Sequence, residues 1–134
     1  MIRNPVASLL GISCSQARVM SLFRVETAFV DGVERISLRG ELDRAALGDL
    51  ELALLTVEDR PVLLDLTDCE FIDSSGIALI VEHWRQRDGR LTLAGARSQT
   101  ARILEITGIG ATIGAFDSFE EACAALKNDV GHGG

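Results

Sequence analysis

From Phe23 to Val30 apolar and polar residues alternate, the period-two signature of a half-buried strand. Asp31-Gly32 follows, the strongest short hairpin signal in the chain. Val33 to Arg39 returns as a second strand, with Ile36 and Leu38 inward and Ser37 and Arg39 outward, and Gly40 is expected to close it. The period then lengthens. Leu47, Leu50, Leu54 and Val57 form one helical stripe, and Asp43 can cap that helix through its carboxylate. Pro61 opens a third strand, apolar almost throughout from Val62 to Leu66, as a strand covered on both faces should be. It breaks into polar residues, and the loop is expected to end at Asp73-Ser74-Ser75-Gly76.

After Gly76 the helical period returns at Ile77, Ile80, Val81 and Trp84. This helix is expected to end near Arg87, with Asp88-Gly89 as its stop. Leu91 to Gly95 reads as a fourth strand. Ser98 is placed to cap a short helix carrying Ala101, Ile103 and Leu104, which Gly108 stops. Thr112 to Phe116 reads as a short strand weakened by glycine. Ser118-Phe119-Glu120-Glu121 has the form of a capping box, opening a helix that buries Phe119, Ala122, Cys123 and Leu126.

An opening hairpin followed by alternating helices and strands implies parallel pairing with right-handed crossovers. The fold class is therefore α/β, with about five strands and helices covering at least one face. One domain is expected over residues 21–127. Residues 1–20 form an extension and residues 128–134 a polar, Gly-rich, flexible tail. The extension faintly resembles an export signal in Arg3, the run from Val6 to Ile12, and Cys14. That run is short, and Gly11 stands where a lipoprotein site wants Leu. The extension reads instead as loosely ordered, or as an upstream start ahead of Met20-Ser21.

Composition narrows the functional classes. The chain has 134 residues, 47% of them hydrophobic, enough for one packed core. Thirteen basic against twenty acidic residues give a net charge of −7. That disfavours nucleic acid, whose phosphates need clustered Lys and Arg, and an anionic membrane surface. No apolar run reaches the length of a membrane span. Three widely spaced cysteines, Cys14, Cys69 and Cys123, suggest a reduced, cytoplasmic chain without a metal site.

The candidate chemistry lies at Asp73-Ser74-Ser75-Gly76, where a strand gives way to a helix. Free N–H groups at a helix N-terminus favour negative charge. A phosphate added there would meet those donors and also repulsion from Asp73. An ordinary helix cap would need only one of these residues. Catalysis is disfavoured, because a serine nucleophile needs a base within reach. His83 lies two turns along the same helix, His132 is in the tail, and there is neither a Gly-x-Ser-x-Gly elbow nor a Gly-rich phosphate loop with Lys.

The stretch resembles the signature of the anti-sigma-factor antagonists, the bacterial STAS domains, in which Asp-Ser-Ser-Gly or Asp-Ser-Thr-Gly follows a buried strand. Gly40-Glu41-Leu42-Asp43 is similar to a second family motif. The resemblance covers roughly residues 21–127. It implies a single STAS domain, a mixed sheet with helices mainly on one side, and Ser74 as phosphoacceptor. It also implies a partner-binding surface over Asp43, Asp73, Ser74, Ser75 and Gly76. The expected partners are an anti-sigma factor with serine kinase activity and a serine phosphatase. ATP and Mg²⁺ would belong to the kinase, so no cofactor, metal or catalytic residue is expected in this chain, and a monomer is expected. The alternative is an unphosphorylated STAS subunit of a lipid-transport ATPase. The transporter-tail role known for other STAS domains lacks its membrane span here.

Overall fold

The computed structural model describes residues 23–131. The expectations for residues 1–20, and for the end of the tail, lie outside the described residues. Strand β1 spans Arg24–Val30 and β2 spans Val33–Leu42. Asp31 and Gly32 between them have φ of 56° and 83°, the pair of positive values a tight two-residue hairpin requires. A 3-10 turn over Arg44–Ala46 leads into α1, Leu47–Thr56. Then come β3 (Val62–Ile72), α2 (Ser74–Gln86), β4 (Leu91–Ala94) and α3 (Ser98–Thr107). A π-helical turn, Gly110–Gly114, precedes β5 (Ala115–Phe116), and α4 spans Phe119–Gly131. The backbone of α4 thus continues into the segment expected as tail.

The strands form one five-stranded sheet in the order β1-β2-β3-β4-β5. The β1–β2 pair is antiparallel and the others are parallel. The pleat sends alternate side chains to opposite faces. On one face Ile36, Leu38, Val62, Leu64, Leu66, Leu91 and Leu93 meet Leu50 and Leu54 of α1, Ile80 of α2 and Leu104 of α3. On the other, Val33, Leu63 and Ala94 pack against Ala122, Cys123 and Leu126 of α4. Three helices thus cover one face and a single helix part of the other.

Four local expectations are corrected. Gly40 does not close β2. It has φ 101° at a register shift, and the strand bends there and runs on to Leu42. Nor does β3 break after Leu66. Its polar run stays paired with β2, because Cys69 and Ile72 are buried while Asp68 and Glu70 face solvent. Ser98 does not cap α3. Arg97 holds that position without a side-chain cap bond, and Ser98 is the first helical residue, with φ 51°. Of the strand expected over Thr112 to Phe116, only two residues pair with β4, the glycine-bounded stretch before them having coiled into the π turn.

Candidate functional site

Strands β2 and β3 run parallel and end together at the pair Leu42↔Ile72. The next residue on each chain segment is an aspartate, Asp43 and Asp73, and the Asp73 N–H donates to the Leu42 carbonyl at 3.1 Å. Both aspartates are extended, and each caps the helical turn immediately after it. Asp43 Oδ1 accepts from the Ala46 N–H at 3.2 Å, which fixes the 3-10 turn. Asp73 Oδ1 accepts from the Gly76 N–H at 2.9 Å and from the Ser75 hydroxyl at 2.7 Å. The two capping turns therefore lie side by side at the carboxyl ends of adjacent parallel strands.

The Asp73 carboxyl is held below the usual carboxylate range. Partial desolvation works the other way, but hydrogen bonds from Ser75, from the Gly76 N–H and from the Arg44 N–H outweigh it. Asp73 is therefore a fixed negative charge at neutral pH.

Ser74 is the first residue of α2 and is exposed, whereas Ser75 is half-buried with its hydroxyl turned back on Asp73. Gly76 is buried. A Cβ there would stand 2.9 Å from Cγ and Cδ2 of Leu42 and 3.0 Å from Cγ2 of Ile72. Glycine lets the first turn of α2 sit directly on the ends of β2 and β3. Its part in this geometry is that close approach. The structure thus brings together Asp43, Asp73, Ser74, Ser75 and Gly76.

Two further residues belong to this geometry and were given no role in the sequence analysis, although Leu42 stands in the Gly40-Glu41-Leu42-Asp43 motif. Leu42 is the floor under Gly76, and Arg44 supplies a backbone donor to Asp73. Each acts across two chain segments, so no local pattern gives this role. His83 lies elsewhere, buried between α1 and α2. Its Nδ1 is 3.2 Å from Arg87 Nη1, and its Nε2 is 3.6 Å from Glu51 Oε2. Arg87, also buried, donates through Nη2 to the carbonyls of Leu54 and Glu58 at 2.7 Å each. It thereby closes the C-terminal end of α1. Trp84 is half-buried against the core. Among the described residues no cluster of three or more His, Cys, Asp or Glu is placed to hold a metal, and no helix is long and apolar enough to cross a membrane.

The family model described as "Mlab, STAS domain" matches residues 25–114. A protein of Bordetella bronchiseptica named as a candidate anti-sigma factor antagonist, BtrV, is 31% identical over 104 residues. That alignment spans 73% of this chain and 90% of the relative. An anti-sigma factor antagonist from Mycobacterium paratuberculosis superposes with a TM-score of 0.72 at 24% identity, covering 78% of this chain and 94% of that one. The Bacillus cell fate determinant SpoIIAA, in its phosphorylated form, superposes with a TM-score of 0.56 at 20% identity, covering 78% and 98%. The structural likenesses are of fold, and the sequence matches carry the kinship. The chain belongs to the bacterial STAS domain family, the family of the anti-sigma-factor antagonists.

Proposed function

We propose that this chain is a cytoplasmic anti-sigma-factor antagonist switched by phosphorylation of Ser74. Unphosphorylated, it binds an anti-sigma factor and frees the sigma factor. The anti-sigma factor, acting as an ATP-dependent serine kinase, modifies Ser74 and is released, and a serine phosphatase resets the site. The observation that carries this reading is the contrast between the two serines. Ser74 is exposed at the start of α2, while the Ser75 hydroxyl is committed to Asp73.

Phosphate adds about −1.5 to −2 charges. At Ser74 it would stand beside Asp73 and near the Asp43 turn, within the surface offered to the partner. Like-charge repulsion and desolvation then oppose docking without any change in the core. Each ~1.4 kcal/mol is tenfold in affinity, so a few kcal/mol make a switch. The resemblance to BtrV supports the choice of partner. The phosphorylated form of SpoIIAA supports a phosphate switch on this fold.

The test is calorimetric titration against the nucleotide-bound anti-sigma factor, with phosphosite mapping after incubation with ATP. Ser74→Ala should bind like the wild type and take no label. Ser74→Asp should bind more weakly than wild type but more tightly than phosphorylated protein. Equal affinity for wild type, Ser74→Asp and phosphorylated protein would sink the switch.

A second reading has its own support, since the matched family model is described by Mlab rather than by an antagonist. On that reading the chain is a fixed, unphosphorylated STAS subunit of a lipid-transport ATPase. Stable co-purification with transporter subunits, and no labelling by any anti-sigma kinase, would favour it.

A further inference from the structure

The two capping turns, residues 42–47 and 72–77, hold two aspartates and a single basic residue, Arg44. Arg44 opens the 3-10 turn with its side chain exposed. Both aspartates already serve the backbone. Asp43 Oδ1 accepts the Ala46 N–H, and Asp73 Oδ1 accepts the Gly76 N–H and the Ser75 hydroxyl. Among the described residues, none pairs with the Arg44 guanidinium. Arg35, Arg39 and Arg60 each sit on a carboxylate; Arg44, beside two, sits on neither.

The backbone fixes where this arginine starts. Its N–H donates to the Asp73 carboxylate, and Ser74 is the next residue after Asp73. Strands β2 and β3 end in register at Leu42↔Ile72, so Arg44 and Ser74 are each the second residue beyond that pair. Parallel strands lie about 4.8 Å apart, which puts the two Cα atoms within about 10 Å of each other. An extended arginine and a phosphoserine close that span between them. A guanidinium binds phosphate oxygens through two parallel N–H donors, a stronger bond than between neutral groups.

We propose that Arg44 holds the phosphate on Ser74, its guanidinium pairing with the phosphate oxygens across the two capping turns. This rests on the reading of Ser74 as phosphoacceptor. Before modification the arginine stands exposed and unpaired; afterwards it has an anionic partner on the adjacent turn. The pair offsets one of the roughly two charges that phosphate adds. With Asp43 and Asp73 the surface stays net negative, so repulsion still opposes docking. The pair also withdraws the one cation of the two turns from an approaching partner. Ser74→Asp brings about one charge and lacks the third oxygen, so it holds Arg44 less well.

The test uses the full chain with phosphoserine encoded at position 74 during translation. No kinase takes part, so the result stands apart from whether any kinase labels Ser74. A phosphorus-31 NMR titration reads the second ionisation of the phosphate, at about pH 6 when unperturbed. Asp43 and Asp73 push it up and the free N–H groups at the start of α2 pull it down, alike in every variant. Arg44 favours the dianion, so Arg44→Gln should raise the value by about half a unit or more. Arg44→Lys keeps the charge without the fork and should fall between. Either change retains the backbone N–H on Asp73, and circular dichroism should match wild type. Arg85→Gln removes the same charge from the last turn of α2, about 16 Å along the helix from Ser74, and should leave the value in place. Equal values for wild type and Arg44→Gln overturn the proposal. A shift in Arg85→Gln as large as in Arg44→Gln overturns it too, because net charge alone then accounts for both.

Discussion

The hydroxyl of Ser75 donates to Asp73 Oδ1 at 2.7 Å, and the same oxygen accepts the Gly76 N–H at 2.9 Å. One carboxylate thus fixes the second serine and the first turn of α2 together, and it leaves Ser74 as the exposed hydroxyl of the motif. Two adjacent serines of identical chemistry thus have different surroundings.

That difference is measurable without any partner. Ser75→Ala removes a hydroxyl bonded to a charged acceptor and should cost about 1 kcal/mol. Ser74→Ala removes an exposed hydroxyl and should stay within about 0.5 kcal/mol of wild type. Urea unfolding of both variants checks the order. Equal costs would mean that the Asp73–Ser75 bond contributes nothing to the cap.

Gly76→Ala tests the close approach to Leu42. Alanine is the better helix former by up to about 1 kcal/mol. Its Cβ would nevertheless stand 2.9 Å from two atoms of Leu42, which is fully buried and cannot swing away. Overpacking should prevail, with a net loss of about 1–3 kcal/mol. Adding Leu42→Ala should make the two substitutions less damaging together than their sum. Strict additivity in that double-mutant cycle would show that the contact is relieved elsewhere.

Arg87→Leu should be among the most damaging single changes in the domain. It takes the donors away from the Leu54 and Glu58 carbonyls at the end of α1, at about 2–3 kcal/mol. Arg87→Lys should rescue only part, because one ammonium replaces a planar fork. Chemical denaturation of the three proteins decides it. Full rescue by lysine would mean that charge, not the fork, is what α1 needs.

His83 should make the fold sensitive to mild acid. Desolvation, followed by the neighbouring Arg87, pushes its folded pKa below the ordinary 6.5, while Glu51 and Glu82 pull the other way. A depressed folded value means that the unfolded chain takes up the proton first. Stability is therefore fully present above pH 6.5 and falls as the pH drops from there toward the folded value. Melting temperatures from about pH 8 to about pH 5 should decline for wild type and decline less for His83→Gln. An identical slope in the two proteins would remove His83 from the explanation.

The sequence by itself determined the elements with strong local codes. Asp31-Gly32 specified a turn whose two positive φ values leave little alternative to a hairpin. The stripe Leu47, Leu50, Leu54, Val57 specified a helix with one buried face. The Val62 to Leu66 run marked the strand covered on both faces. Asp43 and Asp73 could be read as caps, because a carboxylate bonds N–H groups two or three residues ahead in its own chain. Tertiary structure decided everything that depends on a second segment. It carried β3 through its polar run to Ile72, because β2 continues alongside to pair with it. It shortened the expected last strand to Ala115 and Phe116, because only those residues reach β4. It laid the Asp43 and Asp73 turns side by side, because β2 and β3 end in register at Leu42 and Ile72. It made Gly76 a packing requirement, because Leu42 lies beneath it. Periodicity and capping are written in neighbouring residues, whereas register and close approach arise only when distant segments meet, and one sequence read along its length carries no signal for them.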